Sequence, residues 1–233
     1  MVLDYLGHSG FLAETDRALL LFDYFRGDLS LVDARGSGKP LFVFVSHAHG
    51  DHFVPAVFSL MDSGRAVKYL LSFDLRGSPS VPPDADVLYL DADAVYEVPG
   101  LGSVRTLRST DEGVAFLVST PEAVFFHAGD LAFWDWPGED PEWLREQESV
   151  YRREIGTLAG TKIDAAFVVL DDRLEENFAE GITFFLSVCR PGYLLPMHFW
   201  KDRSVVDRLL AQYGGMPHGT TLLDTTRETH WEI

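Results

Sequence analysis

The sequence predicts a layered α/β fold, with two β-sheets face to face and helices outside. Three observations lead there. Short β-type runs broken by Gly, Pro and Asp crowd the first half of the chain. Segments with apolar residues at helical spacing lie between and after them. Two late runs, "AAFVVL" and "YLLPM", are apolar, short and separated by a helical segment, as buried strands would be. Strand-rich halves, each followed by helices, fit stacked sheets with outer helices. Hydrophobic residues are 46 % of the 233, enough for a sizeable core.

In chain order, the predicted strands are residues 11–14 ("FLAE"), 18–23 ("ALLLFD"), 41–45 ("LFVFV"), 68–73, 86–90, 95–98, 104–107, 114–119 and 123–127. Val54, Val57, Phe58 and Met61 share one helical face. So do Leu144, Tyr151, Ile155 and Leu158, and then Phe178, Ile182, Phe185, Leu186 and Cys189. Val205, Val206, Leu209, Leu210 and Tyr213 form a fourth set. The late strands are 165–170 and 193–197. No repeat, low-complexity tract or long linker divides the chain, so one domain over residues 1–233 is expected.

The formal charge of −17 comes from 36 acidic and 19 basic side chains. That field repels polyanions and weighs against nucleic acid as a partner, although a local basic patch or bound divalent metals would offset it. No run approaches the ~18 unbroken apolar residues of a membrane span, and the first residues do not read as a secretory signal. Cys189 is the one cysteine and forms no internal disulfide. A soluble, cytoplasmic protein is the expectation.

Directly behind the strand "LFVFV" comes "SHAHGDH", with His47, His49, Asp51 and His52 within six residues. A strand leaving a sheet edge delivers His47 and His49 two residues apart, able to chelate one metal. Asp51 and His52 on the following turn, freed by Gly50, face a neighbouring one. Imidazole nitrogens with a carboxylate suit zinc, manganese or iron better than calcium or magnesium. Two such ions ~3.5–4 Å apart would clamp an attacking hydroxide and a leaving oxygen.

"HAHGDH" resembles the H-x-H-x-D-H signature of the metallo-β-lactamase superfamily. "GHSGFLAE" and "LLFDYF" resemble its opening strands, especially in its lactonase-like branch of small cytoplasmic hydrolases. "FFHAGDL" and "LLPMHFW" are similar to two later motifs. The resemblance covers nearly the whole chain and implies a four-layer αβ/βα sandwich with metals at the sheet edges. It implies one or two divalent transition metals, zinc first, with manganese or iron as alternatives. It also implies His47 and His49 on one metal, Asp51, His52 and His198 on the other, and Asp130 bridging. Asp51 would in addition take part in proton transfer. Asp23 either orients the histidine loop or simply forms a turn.

The pattern breaks at one point. The superfamily places another histidine on the first metal, yet none occurs from Phe53 to Phe126, and Arg108, Ser109 or Thr110 stands there. Asp111 is the preferred substitute, ahead of Glu112, His127 and His8. His127, on an apolar strand, reads as a hydrogen-bonded core histidine near the site. His8, in the "GHSG" turn, reads as a substrate or outer contact at the mouth. The departure weighs against β-lactam hydrolysis, and fold alone does not set the reaction.

Further along, Phe133, Trp134, Trp136 and Trp143 offer either an apolar wall over the site or a packing or subunit contact, which leaves a homo-oligomer open. Asp171 at the end of a late strand suits a hydrogen bond from a metal-binding histidine. Arg173 suits a substrate carboxylate or phosphate, or an ordinary surface ion pair. Trp200 reads as pocket or core, and His218 and His230 have no functional partner in sequence. Together these features predict a hydrolase using metal-activated hydroxide on a small ester, lactone, thioester or phosphodiester. A nuclease or phosphodiesterase, or a degenerate site that senses metal or ligand without turnover, are the competing classes.

Overall fold

The computed structural model describes residues 1–35, 38–200 and 202–233. Its first sheet is built from β1 (Val2–Gly7), β2 (Gly10–Glu14), β3 (Leu19–Phe22), β4 (Leu41–Val45), β5 (Val67–Ser72) and β6 (Val87–Leu90). The second contains β7 (Val95–Val98), β8 (Gly102–Arg108), β9 (Val114–Ser119), β10 (Val124–His127), β11 (Ala165–Val169), β12 (Tyr193–Met197) and β13 (Thr221–Leu222). A last strand, β14 (His230–Glu232), returns to pair with β1. Among the described residues both sheets have seven strands, in the orders β14-β1-β2-β3-β4-β5-β6 and β13-β12-β11-β10-β9-β8-β7.

The two sheets follow one plan. In the first, β14 to β3 pair antiparallel and β3 to β6 parallel. In the second, β7 to β10 pair antiparallel and β10 to β13 parallel. Strands buried on both faces read as unbroken apolar runs, and β4 shows why. Phe42 and Phe44 enter the core between the sheets, while Leu41, Val43 and Val45 enter a second core on the outer face. Aromatic rings fill the intersheet layer. Phe11 meets Phe167 with centroids 4.3 Å apart, and Phe22 stacks on Phe44 at 4.8 Å.

Helices α1 (Ser30–Ala34), α2 (Pro141–Gly156), α3 (Glu180–Val188) and α4 (Val205–Tyr213) complete the layers. Asp140 caps α2 by accepting hydrogen bonds from the N–H groups of Glu142 and Trp143, with Pro141 at the first position. The Tyr151 hydroxyl ties α2 to α3 by donating to the Gly181 carbonyl at 2.7 Å.

Most expected strands appear within a residue or two of their predicted ends. Strands β1, β13 and β14 and helix α1 are additions that the sequence pattern does not announce. The helical face expected over residues 54–61 proves to be a 3-10 segment, Pro55–Ser63, opened by proline and closed by left-handed Gly64. With three residues per turn, Val57 and Leu60 fall on the same buried side.

This topology brings the carboxyl ends of the parallel strands to one edge, where ligands bind in open α/β sheets. Asp23 follows β3, His47 follows β4 by one residue, Asp130 lies just beyond β10, Asp171 beyond β11, and His198 directly follows β12. Two backbone hydrogen bonds hold the sheets together at that edge. The Val114 N–H donates to the Ser46 carbonyl at 2.9 Å, and the His198 N–H to the His8 carbonyl at 3.3 Å. Gly113, at φ +68°, passes so close that a Cβ there would lie 1.9 Å from the Ser46 carbonyl oxygen. Replacing Gly113 by Ala should therefore cost about 2 kcal/mol or more, lowering Tm by about 4–8 °C in a chain of this size. A thermal melt of the metal-free variant with unchanged Tm would contradict this.

Candidate metal centre

The loop after β4 is held by acceptors at strand ends. Asp23 accepts from the Ser46 N–H (2.7 Å), the Ser46 hydroxyl (2.6 Å) and His52 Nδ1–H (2.7 Å). Ser46 Oγ, its proton committed to Asp23, accepts from His47 Nδ1–H at 2.9 Å. Asp74, just beyond β5, accepts from the Ala48 N–H at 2.8 Å. On the other sheet, His198 Nδ1–H donates to Asp171 Oδ2 at 2.9 Å. Fixing Nδ1 as the donor leaves Nε2 of His47, His52 and His198 as the nitrogen that can bind a metal, once any proton on it is displaced.

All three Nε2 atoms gather around the Asp130 carboxylate. His52 Nε2 lies 3.0 Å and His198 Nε2 3.2 Å from Asp130 Oδ1, and His47 Nε2 lies 3.6 Å from Asp130 Oδ2. Two donor clusters result, each with its ligand atoms within 4.8 Å of one another. The inner cluster is His8, Asp51, His52 and His198. The outer cluster is His47, His49, Asp111 and Asp130. Asp130 touches both.

The donor set fits divalent transition metals. His52 Nε2, His198 Nε2, Asp130 Oδ1 and both ring nitrogens of His8 are buried without a hydrogen-bond partner. Buried polar atoms are rarely left so, and here the unpaired lone pairs converge. His47 Nε2 and His49 Nδ1 lie only 3.1 Å apart, close for two nitrogens unless a proton or cation sits against them. Nitrogen and carboxylate donors in this mixture suit zinc, manganese and iron.

The electrostatics agree. Burial opposes the charge on Asp130, but the imidazoles of His198, His52 and His47 overcome it and hold its carboxyl far below the usual range. Burial works against a charged His52 too, yet Asp130 and Asp23 outweigh it and keep its pKa well above the ordinary value. His8 and His47 go the other way, to about 4, chiefly through burial. Asp171 is lowered to about 2, because hydrogen bonds from His198 and Arg173 exceed the cost of burying it. Burial, then the nearby Asp130 charge, raises Asp111.

The remaining site residues are placed as follows. His127 uses both ring nitrogens. Its Nε2–H donates to the Ser9 carbonyl at 2.9 Å, its Nδ1 accepts from the Gly129 N–H at 3.1 Å, and its ring stacks on Phe22. It is not in either cluster. His8 is not at the mouth, as its sequence position suggested, but fully buried in the inner cluster, because the turn from Gly7 to Gly10 folds inward against β12. Asp111, 44 % exposed, lies 3.7 Å from His49, and its N–H is held by Ser109 Oγ. Glu112 Oε2 stands 3.6 Å from the other His49 ring nitrogen. Arg173 is clamped by Asp171 through Nε (2.9 Å) and Nη2 (2.5 Å), and its guanidinium lies near Trp136 and Trp200. Trp134 is buried, donates its Nε1–H to the Asp130 carbonyl at 3.2 Å and stacks on Trp136. A cavity of about 230 Å³ opens over Asp130, lined by His49, Asp51, Asp111, His198, Arg173 and Trp134, Trp136 and Trp143. His230 instead joins Asp4 and Arg35, away from the clusters, and His218 is exposed. Sequence reasoning missed Ser46 and Asp74. Ser46, beside His47 in "SHAHGDH", was the more findable of the two.

Comparison with known proteins matches the residue pattern of the Beta-lactamase superfamily domain to residues 2–134, more than half of the chain. The chain belongs to the metallo-β-lactamase superfamily. A metal-dependent hydrolase of Desulforamulus reducens is 39 % identical over 217 residues, covering 85 % of this chain and 84 % of that one. One from Pyrobaculum arsenaticum is 27 % identical over 211 residues, with 85 % and 84 % covered. The fold is similar to that of a metallo hydrolase from Ignicoccus hospitalis (TM-score 0.65, 17 % identity, 100 % of this chain and 98 % of that one). The protein is thus a metal-dependent hydrolase of the superfamily. No described helix is long and apolar enough to cross a membrane.

Because Asp130 and Asp23 raise the His52 pKa well above its ordinary value, an ion must compete with a proton for Nε2. His8 and His47, lowered to about 4, have none to release at pH 7. Metal loading at pH 7 should release protons, with His52 as a source. Release should shrink, and affinity grow, as pH rises through the raised His52 pKa. Titration calorimetry in buffers of different ionisation enthalpy measures this; zero release at pH 7 would contradict it.

Proposed function

We propose that the two clusters hold two divalent transition-metal ions, zinc, manganese or iron. In this reading they serve hydrolysis of a small ester, lactone, thioester or phosphodiester. The observation that carries the reading is the gathering of the Nε2 atoms of His47, His52 and His198 around one buried carboxylate beneath an open cavity. His47, His49 and Asp111 would hold the outer ion, Asp51, His52 and His198 the inner, and Asp130 both. When bound, such a pair brings the pKa of water toward neutrality and offsets charge developing on a carbonyl or phosphoryl oxygen.

The chain's own residues do the rest. Asp51, half-buried, lines the cavity, with one carboxylate oxygen 3.3 Å from His8 Nε2. Its pKa lies far below the usual range, because the His8 contact and the charge of His52 outweigh burial. It is therefore charged at neutral pH and placed to take a proton and return it to the leaving group. Asp23, Ser46 and Asp171 lock the tautomer and orientation of the histidines through their Nδ1 atoms. Arg173, held rigid by Asp171 and lining the cavity, offers its remaining N–H donors to a substrate carboxylate or phosphate. Trp134 and Trp136 make an apolar wall that excludes water from one side. The modest cavity supports a small-molecule substrate over a polymer.

The test is a panel of lactone, ester, thioester and phosphodiester substrates with the metal-loaded protein. Turnover of at least one class is expected, with Asp51→Asn lowering kcat by about 100-fold or more. No turnover by protein carrying two metals, or undiminished activity of Asp51→Asn, would contradict the reading. Asp111→Ala should lower bound metal from two ions toward one by elemental analysis; unchanged stoichiometry would remove Asp111 as a ligand.

A further inference from the structure

We infer that His8 is itself a ligand of the inner ion, donated by the first turn of the chain. The inference rests on the reading of the clusters as metal sites. His8 lies between β1 and β2 at a left-handed φ of +56°, a conformation that non-glycine residues adopt at a cost. That conformation turns its ring inward, against His198 (centroids 4.3 Å apart) and Trp200 (4.4 Å). The side chain is 0 % exposed.

Two other roles fit less well. A core histidine satisfies its nitrogens, as His127 does with both, whereas neither nitrogen of His8 makes a hydrogen bond. A substrate contact needs access, and His8 is not among the residues lining the cavity. What its ring does face is the inner cluster. Its Nε2 is 3.3 Å from Asp51 Oδ2, and its donor atom falls within 4.8 Å of those of Asp51, His52 and His198. Donors at about 2.1 Å from one ion stand about 3.0 Å apart when adjacent and about 4.2 Å when opposite. The contacts of 3.0, 3.2 and 3.3 Å among these residues and Asp130 sit near the adjacent value.

With Asp130 the inner ion then has five protein donors, three nitrogens and two oxygens. That exceeds the four of a closed tetrahedral zinc site and suits the higher coordination of manganese or iron. The inner ion is thus the tighter-held of the two, gripped from the chain's first turn, its histidine loop and the end of β12.

The test compares wild type, His8→Ala and Asp171→Asn, the last weakening the contacts to His198 and Arg173 while leaving every proposed ligand in place. Each is titrated with Mn²⁺, and nitrogen neighbours are counted by X-ray absorption. His8→Ala should weaken the tighter site by at least about 100-fold and remove one imidazole from the metal's shell. Asp171→Asn should weaken it about 10–100-fold with the imidazole count intact. Should His8→Ala fail to fold, wild type carrying ¹⁵N-histidine and ¹¹³Cd²⁺ gives the answer, since through-bond coupling requires direct ligation. Coupling of one cadmium to His8, His52 and His198 is expected. Coupling to His52 and His198 alone, or wild-type affinity in His8→Ala, would overturn the role of His8 and leave the clusters standing. No bound cadmium at all would overturn both.

Discussion

Everything at this site turns on the carboxylate of Asp130. It is buried, it comes from the second sheet, and it receives imidazoles from both sheets. Burying an ionised carboxylate is costly unless opposite charge lies against it. In the protein alone the imidazoles of His198, His52 and His47 favour the Asp130 charge, and Asp130 and Asp23 in turn raise the His52 pKa. A proton on one histidine leaves the Nε2 of His198 and the ring of His8 with no partner. Metal ions would satisfy all these groups together, so packing as well as donor type supports the proposed binding.

The surrounding backbone is shaped to that end. His8, Asp23 and His198 all have positive φ, three of the six such non-glycine residues among those described. Each stands at a strand end, where it has to leave the ladder and turn toward the centre. Strain of this kind persists only where the neighbourhood over-determines it. Here Ser46, Asp74 and Asp171 supply the fixing hydrogen bonds, and Gly113 and Gly129 let the second sheet close onto Ser46. Rigid parallel strands set the positions of the proposed ligands; short polar contacts set their orientations.

How much of this is legible in the sequence depends on how local the signal is. Strand β4 announces itself because burial on both faces leaves no polar position in "LFVFV", and three histidines packed into the six residues behind it point to a cation. The layered architecture follows from such runs and their spacing. The 3-10 segment 55–63 resembles an ordinary helical face, since apolar spacing over two turns does not separate three from 3.6 residues per turn. Strands β13 and β14 are too short to carry a pattern, and they exist because neighbouring strands offer an open edge. His8 is misplaced for a related reason. A lone histidine between glycines looks like an exposed turn, and only the inward fold against His198 shows otherwise. Asp74 gives no signal, as an aspartate after a strand is ordinary turn chemistry.

Whether two ions sit on either side of Asp130 can be decided by anomalous diffraction from crystals grown with Mn²⁺. Two peaks about 3.5–4 Å apart are expected, one among Asp51, His52 and His198 and the other among His47, His49 and Asp111. An empty centre at saturating metal, or peaks only at surface carboxylates, would contradict it.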